Sequence, residues 1–426
     1  MAKPKSRLRK LLVWKKGALT AGVASIGLFS LFSFGVPAFV ATTYQAGGTA
    51  TTTPEVPALK PAVKHLPTPK PLKGIYMSQC VAGTPSFRDS LVSFIDETEL
   101  NAVVIDIRDY TGKISFPTDH PDLVGAVSDA CGAKDMKEFI AKLHEKNIYV
   151  IGRITTFQNP YWTKIHPEQA VQRKGGGVWK DYKGLAFVDV GAKPYWDNVV
   201  LLGKISYELG FDELNFDYIR YPSDGPMKEA VYSWEHGKKK PEMLEEFYAY
   251  ITEKLRPADP SRSAGRGQAG PVLSADLFGM TATNEDDLNI GQVLERTLPY
   301  FDAVYPMVYP SHYPSGFNGW KNVNEHPYDI VKFSMSRALS RTIATSTRVA
   351  SLAHTAIAST SPQLYQKPIH AKEKMIPWLQ SFDYPVPYTP AMVRGQIQAT
   401  YDAGIDSWLF WDAANKYSSL RKVLEN

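Results

Sequence analysis

Cysteine is scarce in this chain, with only Cys80 and Cys131 among 426 residues. No Cys/His spacing of a zinc site is present. The two cysteines are either a bridge, which an oxidising compartment allows, or two unrelated small apolar side chains. Other signatures are missing as well. No G-x-G-x-x-G follows the first apolar strand, where a dinucleotide-binding sheet carries it. P-loop, H-E-x-x-H and Ser-His-Asp elbow motifs are all absent. No metal and no redox or nucleotide cofactor is expected. Positive charge is also short where it would matter. The formal charge is +5, but residues 1–16 carry seven Lys and Arg and no acid, so everything after them sums to −2. Such a body offers no case for nucleic acid as a partner.

Residues 17–41, "GALTAGVASIGLFSLFSFGVPAFVA", follow that basic start and hold no charge. A basic stretch ahead of a long uncharged one reads as an export signal or a membrane anchor. About 20 apolar residues cross a bilayer, and the positive flank places the body outside the cytoplasm. Small residues in "VPAFVA" suit cleavage, so a cleaved signal and an uncleaved hydrophobic helix both remain open. The expected location is extracytoplasmic, secreted or held at the membrane by this segment. Residues 42–72 are rich in Thr, Pro, Ala and Gly and read as a linker. From Lys73 to Asn426 the texture is that of one domain, interrupted by a loop at 257–270.

Eight apolar or aromatic runs punctuate the body: 73–78, 102–109, 149–157, 213–221, 272–278, 303–309, 374–382 and 407–413. Amphipathic stretches separate them, among them 87–100, 136–147, 194–210, 241–256 and 389–404. Eight strands alternating with helices predict an α/β fold, a single (β/α)8 TIM barrel. Near-continuous apolar strands fit a parallel sheet covered on both faces.

The C-terminal ends of these runs are unusually polar, and that is where such barrels do chemistry. The second ends in Asp106, Arg108 and Asp109, and the third carries Arg153. The fourth ends in Asp217, Tyr218, Arg220 and Tyr221, and the fifth holds Asp276. The sixth ends in Tyr309, Ser311 and His312, and the eighth gives Trp408, Trp411 and Asp412. The opposite strand ends show no such set. Alternation puts Asn215 with Asp217 on one face, and Ser274 with Asp276. Asp217 and Asp276 on neighbouring strands supply the two carboxylates that glycoside hydrolysis needs. Aromatic residues around them suit stacking on sugar rings, so a polysaccharide or oligosaccharide is the expected partner. Asp106, Asp109, Arg153, Tyr218, Arg220, Tyr309, His312, Trp411 and Asp412 are the candidate sugar contacts. Blander roles compete. Asp106 with Arg153 also reads as a buried ion pair, and Trp408 and Trp411, three apart, point to opposite faces. A non-catalytic carbohydrate-binding barrel on a stalk is the rival to an enzyme.

"NFDYIRYP", with "NAVVIDIRDYTGKISFP", "IYVIGRITTFQNP", "WKDYKGLAFVDVGAKPYWD" and "PMVYPSHY", resembles the putative glycosyl hydrolase domain of secreted bacterial proteins, a distant relative of alpha-amylase-like barrels. The resemblance covers about residues 73–420. It implies Asp217 as nucleophile and retention of anomeric configuration. Asp276 stands where those barrels carry a glutamate acid/base, and Asn215 stands where they carry an arginine. Asp383 is the nearest candidate for a third acid.

Overall fold

The computed structural model describes residues 64–256, 270–347 and 365–425. The expected signal or anchor at 1–41, most of the linker and most of the 257–270 loop lie outside the described residues. Among the described residues no helix is long and apolar enough to cross a membrane.

Eight parallel strands close into a barrel. They are β1 (Lys73–Met77), β2 (Ala102–Arg108), β3 (Tyr149–Thr155), β4 (Glu213–Asp217), β5 (Val272–Phe278), β6 (Ala303–Met307), β7 (Trp378–Gln380) and β8 (Trp408–Trp411). A helix follows each: α1 (Pro85–Asp96), α2 (Met136–Glu145), α3 (Lys193–Leu209), α4 (Lys240–Leu255), the short α5 (Leu294–Thr297), α6 (Pro327–Ile343), α7 (Pro390–Asp402) and α8 (Ser418–Leu424). This is the (β/α)8 order expected from the alternation. Two strands fall furthest short of their apolar runs. β4 stops at Asp217 because Tyr218 takes φ +51°, which turns the chain. β7 begins only at Trp378, because Lys372–Lys374 forms a single 3-10 turn.

Strand alternation builds two apolar layers. Tyr76, Val104, Tyr149, Ile151, Tyr305, Trp378 and Leu409 fill the barrel. Ile75, Val103, Val150, Leu214, Phe216 and Val304 face outward onto the helices. The helices present matching stripes: α2 buries Met136, Phe139, Ile140 and Leu143, spaced three and four apart. Proline near the start and a cap define several helices. Thr389 Oγ1 accepts from Met392 N ahead of α7, and Gly210 at φ +126° closes α3.

Two departures shape the ends of the barrel. The β2–β3 register slips between Asp106 and Arg108. That bulge sends Arg108 outward, where it donates to Thr155 O and to Asn198 Oδ1 on α3. At the other end, residues 64–72 are packed, although composition assigns them to a linker. Leu66 N donates to Asp212 Oδ1 at 2.7 Å, His65 stacks on Tyr207, and Leu72 is buried. This segment covers the floor of the barrel, beside Tyr149 and the residue preceding β4.

Cys80 and Cys131 are bridged, with Cα atoms 4.4 Å apart. The bond ties the loop after β1 to the loop after β2, both at the C-terminal end of the barrel. Gly132 N donates to Gln79 O alongside it.

Candidate active site

Inward-facing positions at the tops of β2, β3 and β4 bring three charges together. Arg153 Nη1 donates to Asp106 Oδ1 at 2.6 Å, while its Nε and Nη2 donate to Asp217 Oδ2 at 3.0 and 2.5 Å. All three side chains are buried. The second oxygen of each acid is also held: Tyr76 Oη donates to Asp106 Oδ2 at 2.5 Å, and Tyr218 N donates to Asp217 Oδ1 at 2.6 Å. Burial raises the Asp106 carboxyl above its ordinary value, opposed by Arg153 and the Tyr76 hydroxyl. Desolvation alone would lower the Arg153 guanidinium; the surrounding Asp217 and Asp106 carboxylates outweigh it and hold the group well above its ordinary value.

Asp276 enters from β5. Its register places it beside Asp217, since Asn215 pairs with Ser274 and Phe216 with Ala275. Asn215 Nδ2 and Trp378 Nε1 each donate to Asp276 Oδ1 at 2.9 Å. Burial, then the Asp217 charge, push its carboxyl well above the ordinary value. Tyr309 lies against the same pair: burial and the charges of Asp276 and Asp217 raise its phenol. Three acids and one guanidinium cannot all stay charged in a dry interior without cost. The surroundings raise the proton affinity of Asp276 and set the Arg153 guanidinium against Asp217.

Trp411 forms the wall of this cluster. Its ring stacks on Tyr76 at 3.8 Å, meets Trp378 edge-on at 5.6 Å, and carries the Arg153 guanidinium 4.9 Å from its centroid. Beyond it opens a cleft of about 540 Å³, lined by Tyr309, His312, Phe382, Asp383, Trp411, Asp412 and Lys416 with several serines. Asp217 and Asp276 do not line that cleft, and are 4% and 1% exposed. Trp408, by contrast, faces the outer layer.

The remaining candidates are distributed more widely. Asp109 accepts from Thr111 N and Thr111 Oγ1, which shapes the loop after β2, and its charge reaches Asp106. Tyr218 is half-buried against Phe187, with Arg220 4.8 Å over its ring. Arg220 itself donates to Tyr221 O and Ser223 Oγ and has no bond to Asp217. Of the two arginines, Arg153 is the one bonded to Asp217. His312 bonds Ser311 Oγ among the rings of Tyr309, Phe382 and Tyr384, and burial together with Lys183 lowers its imidazole. Both oxygens of Asp412 accept backbone N–H groups, from Ala414, Lys416 and Tyr417. That carboxylate shapes the loop after β8. Asp383 likewise accepts from Tyr388 N. Among the described residues no group of three or more His, Cys, Asp or Glu is placed to hold a metal.

The sequence as a whole matches the model of a family described as a putative glycosyl hydrolase domain, over residues 74–417. The chain belongs to that family. No curated protein matches this glycosyl hydrolase domain significantly. Among solved structures, the glycoside hydrolase domain of PgaB (BpsB) from Bordetella bronchiseptica is similar at TM-score 0.53 and 14% identity, over 83% of this chain and 98% of that one. An alpha-L-fucosidase isoenzyme 2 from Paenibacillus thiaminolyticus is similar at TM-score 0.52 and 10% identity, over 83% and 48%. At such identities the likeness is one of fold. A hypothetical protein from Ruminiclostridium thermocellum shares 32% identity over 47% of this chain and 96% of its own, at TM-score 0.41. Within the glycosyl hydrolase domain, Tyr76 and Trp378 are the site residues that sequence reasoning passed over. Both bond a carboxylate, and both lie in runs so uniformly apolar that inward and outward positions look alike.

Proposed function

We propose that the chain is a glycoside hydrolase that cleaves a polysaccharide outside the cytoplasm, with Asp217 as nucleophile and Asp276 as acid/base. The observation that carries this reading is the contrast between two facing carboxyls. Asp217 receives Arg153 and a backbone N–H, whereas Asp276 is desolvated beside a negative neighbour. One group suited to attack and one suited to give a proton are what the chemistry requires. Retention of configuration follows from the resemblance to alpha-amylase-like barrels, and it asks for carboxyls ~5–5.5 Å apart. Asp217 would bond the anomeric carbon while Asp276 protonates the departing oxygen. Asp276 would then take a proton from the water that releases the sugar. Trp411, Tyr309 and His312 would receive neighbouring sugar rings in the cleft. The disulfide and the basic leader support a location outside the cytoplasm, secreted or membrane-held.

A second reading, a carbohydrate-binding barrel without catalysis, is favoured by the near-complete burial of both acids away from the cleft. A polysaccharide panel separates the two. Hydrolysis by the native chain that disappears in Asp217→Asn, with binding retained, supports the enzyme. Binding by the native chain with no hydrolysis selects the binding barrel. Protease shaving of intact cells tests the location, and a fully protected body would exclude it.

A further inference from the structure

We propose that Asn215 and Trp378 are positioning residues that decide which oxygen of Asp276 carries its proton, and thereby aim the acid. The inference rests on the reading of Asp276 as acid/base. Two N–H groups converge on one oxygen: Asn215 Nδ2 and Trp378 Nε1 both reach Oδ1 at 2.9 Å. An indole nitrogen only donates, so the lone pair it meets cannot hold the proton. Among the described residues no hydrogen bond reaches Oδ2. The proton of the neutral acid is left to Oδ2.

Polar contacts continue below Asn215. Glu213, two residues earlier and facing the same way, accepts hydroxyls from Tyr305 at 2.5 Å and Tyr149 at 3.1 Å, and also bonds Ser274. Asn215 Nδ2 donates to Ser274 Oγ at 3.0 Å. The same nitrogen reaches Asp276, so one NH₂ group serves both oxygens. Asn215 Oδ1 is left buried with no partner, so the amide is held for its donor side. A polar thread thus runs from the barrel floor along β4 and β5 to the acid.

In the reaction, the bond from the anomeric carbon to the departing oxygen breaks as an Asp217 oxygen bonds that carbon. The Asp276 Oδ2 proton moves to the departing oxygen. Water then displaces Asp217 and returns a proton to Oδ2, while Oδ1 remains an acceptor throughout. The charged and titratable groups facing Asp276 are Asp217 from β4, Arg153 from β3 and Tyr309 beyond β6.

Trp378→Phe keeps an aromatic ring and removes one donor; Asn215→Ala removes the other independently, in case the first variant does not fold. Both donors stabilise the ionised form of Asp276, so losing either favours the neutral form. The basic limb of the kcat/KM profile is expected to move up by about one pH unit. At the optimum, kcat is expected to fall about tenfold further for poor leaving groups than for activated aryl glycosides, which need little protonation. A carboxyl ¹³C titration, assigned by the signal that Asp276→Asn removes, reads the same change without turnover. An upward titration in a folded variant supports the inference. An unmoved or downward titration overturns it, as does an equal loss on both substrate classes. An upward titration in a chain that hydrolyses nothing upholds the positioning and refutes the hydrolase reading instead.

Discussion

Glu213 allows a stability prediction with a definite sign. It is fully buried at the barrel floor and bonded to Tyr305, Tyr149 and Ser274. Burial is the largest influence and raises its carboxyl from 4.5 to about 7, although the three hydroxyls oppose the rise. Between those values the folded chain keeps a proton that the unfolded chain has released. Stability then falls as pH rises through the window. The gap is about 2.5 pH units, each worth ~1.4 kcal/mol, so the total is ~3 kcal/mol. Glu213→Gln replaces the group with a neutral one of the same shape that still accepts from Tyr305. Its stability relative to the native chain is expected to improve by ~3 kcal/mol between about pH 4.5 and pH 7.5. Urea unfolding of both chains at several pH values measures this. Parallel stability curves across the window would refute the reasoning, because a group that titrates alike in both states contributes no difference.

Three further outcomes are expected. Replacing Cys80 and Cys131 with serine removes a cross-link between residues 51 apart, a loss of ~4 kcal/mol on chain entropy; an unchanged unfolding midpoint would exclude that contribution. Arg153→Met strands Asp106 and Asp217 in the interior and is expected to cost about 3–5 kcal/mol, read by calorimetry, with Asp106→Asn milder because Arg153 retains Asp217. Arg220→Ala is expected to change stability by less than about 0.5 kcal/mol, since its bonds are to Tyr221 O and Ser223 Oγ; a loss as large as that of Arg153→Met would refute this.

The barrel was legible because its strands are apolar runs separated by turns and amphipathic stretches, a pattern that few other folds produce. Asp217 and Asp276 stood out for a related reason. Charged residues ending buried strands break the apolar run, and alternation gives their direction. Tyr76 and Trp378 were hidden by the same logic. Both faces of such strands are buried, so neither contrast in polarity nor period marks the inward side. β7 compounded this, since a nine-residue run yielded a three-residue strand and left its register open. Glu213 was missed because the opposite strand ends were read as holding no polar set, and a single acid opening an apolar run has no partner in sequence to mark it. The pairing of Arg153 with both acids depends on β2, β3 and β4 standing side by side, and the bulge that turns Arg108 away has no local signature. The covering of the floor by residues 64–72 overrode a composition typical of linkers.

That floor segment sets a heading. The chain enters β1 from the closed end, so whatever precedes Lys64 joins the molecule on the side away from the cleft. β2 and β3, seven residues each, rise about 3.3 Å per residue, so the cleft stands roughly 20 Å beyond the point of attachment. A segment joined there meets the barrel at the end opposite its mouth.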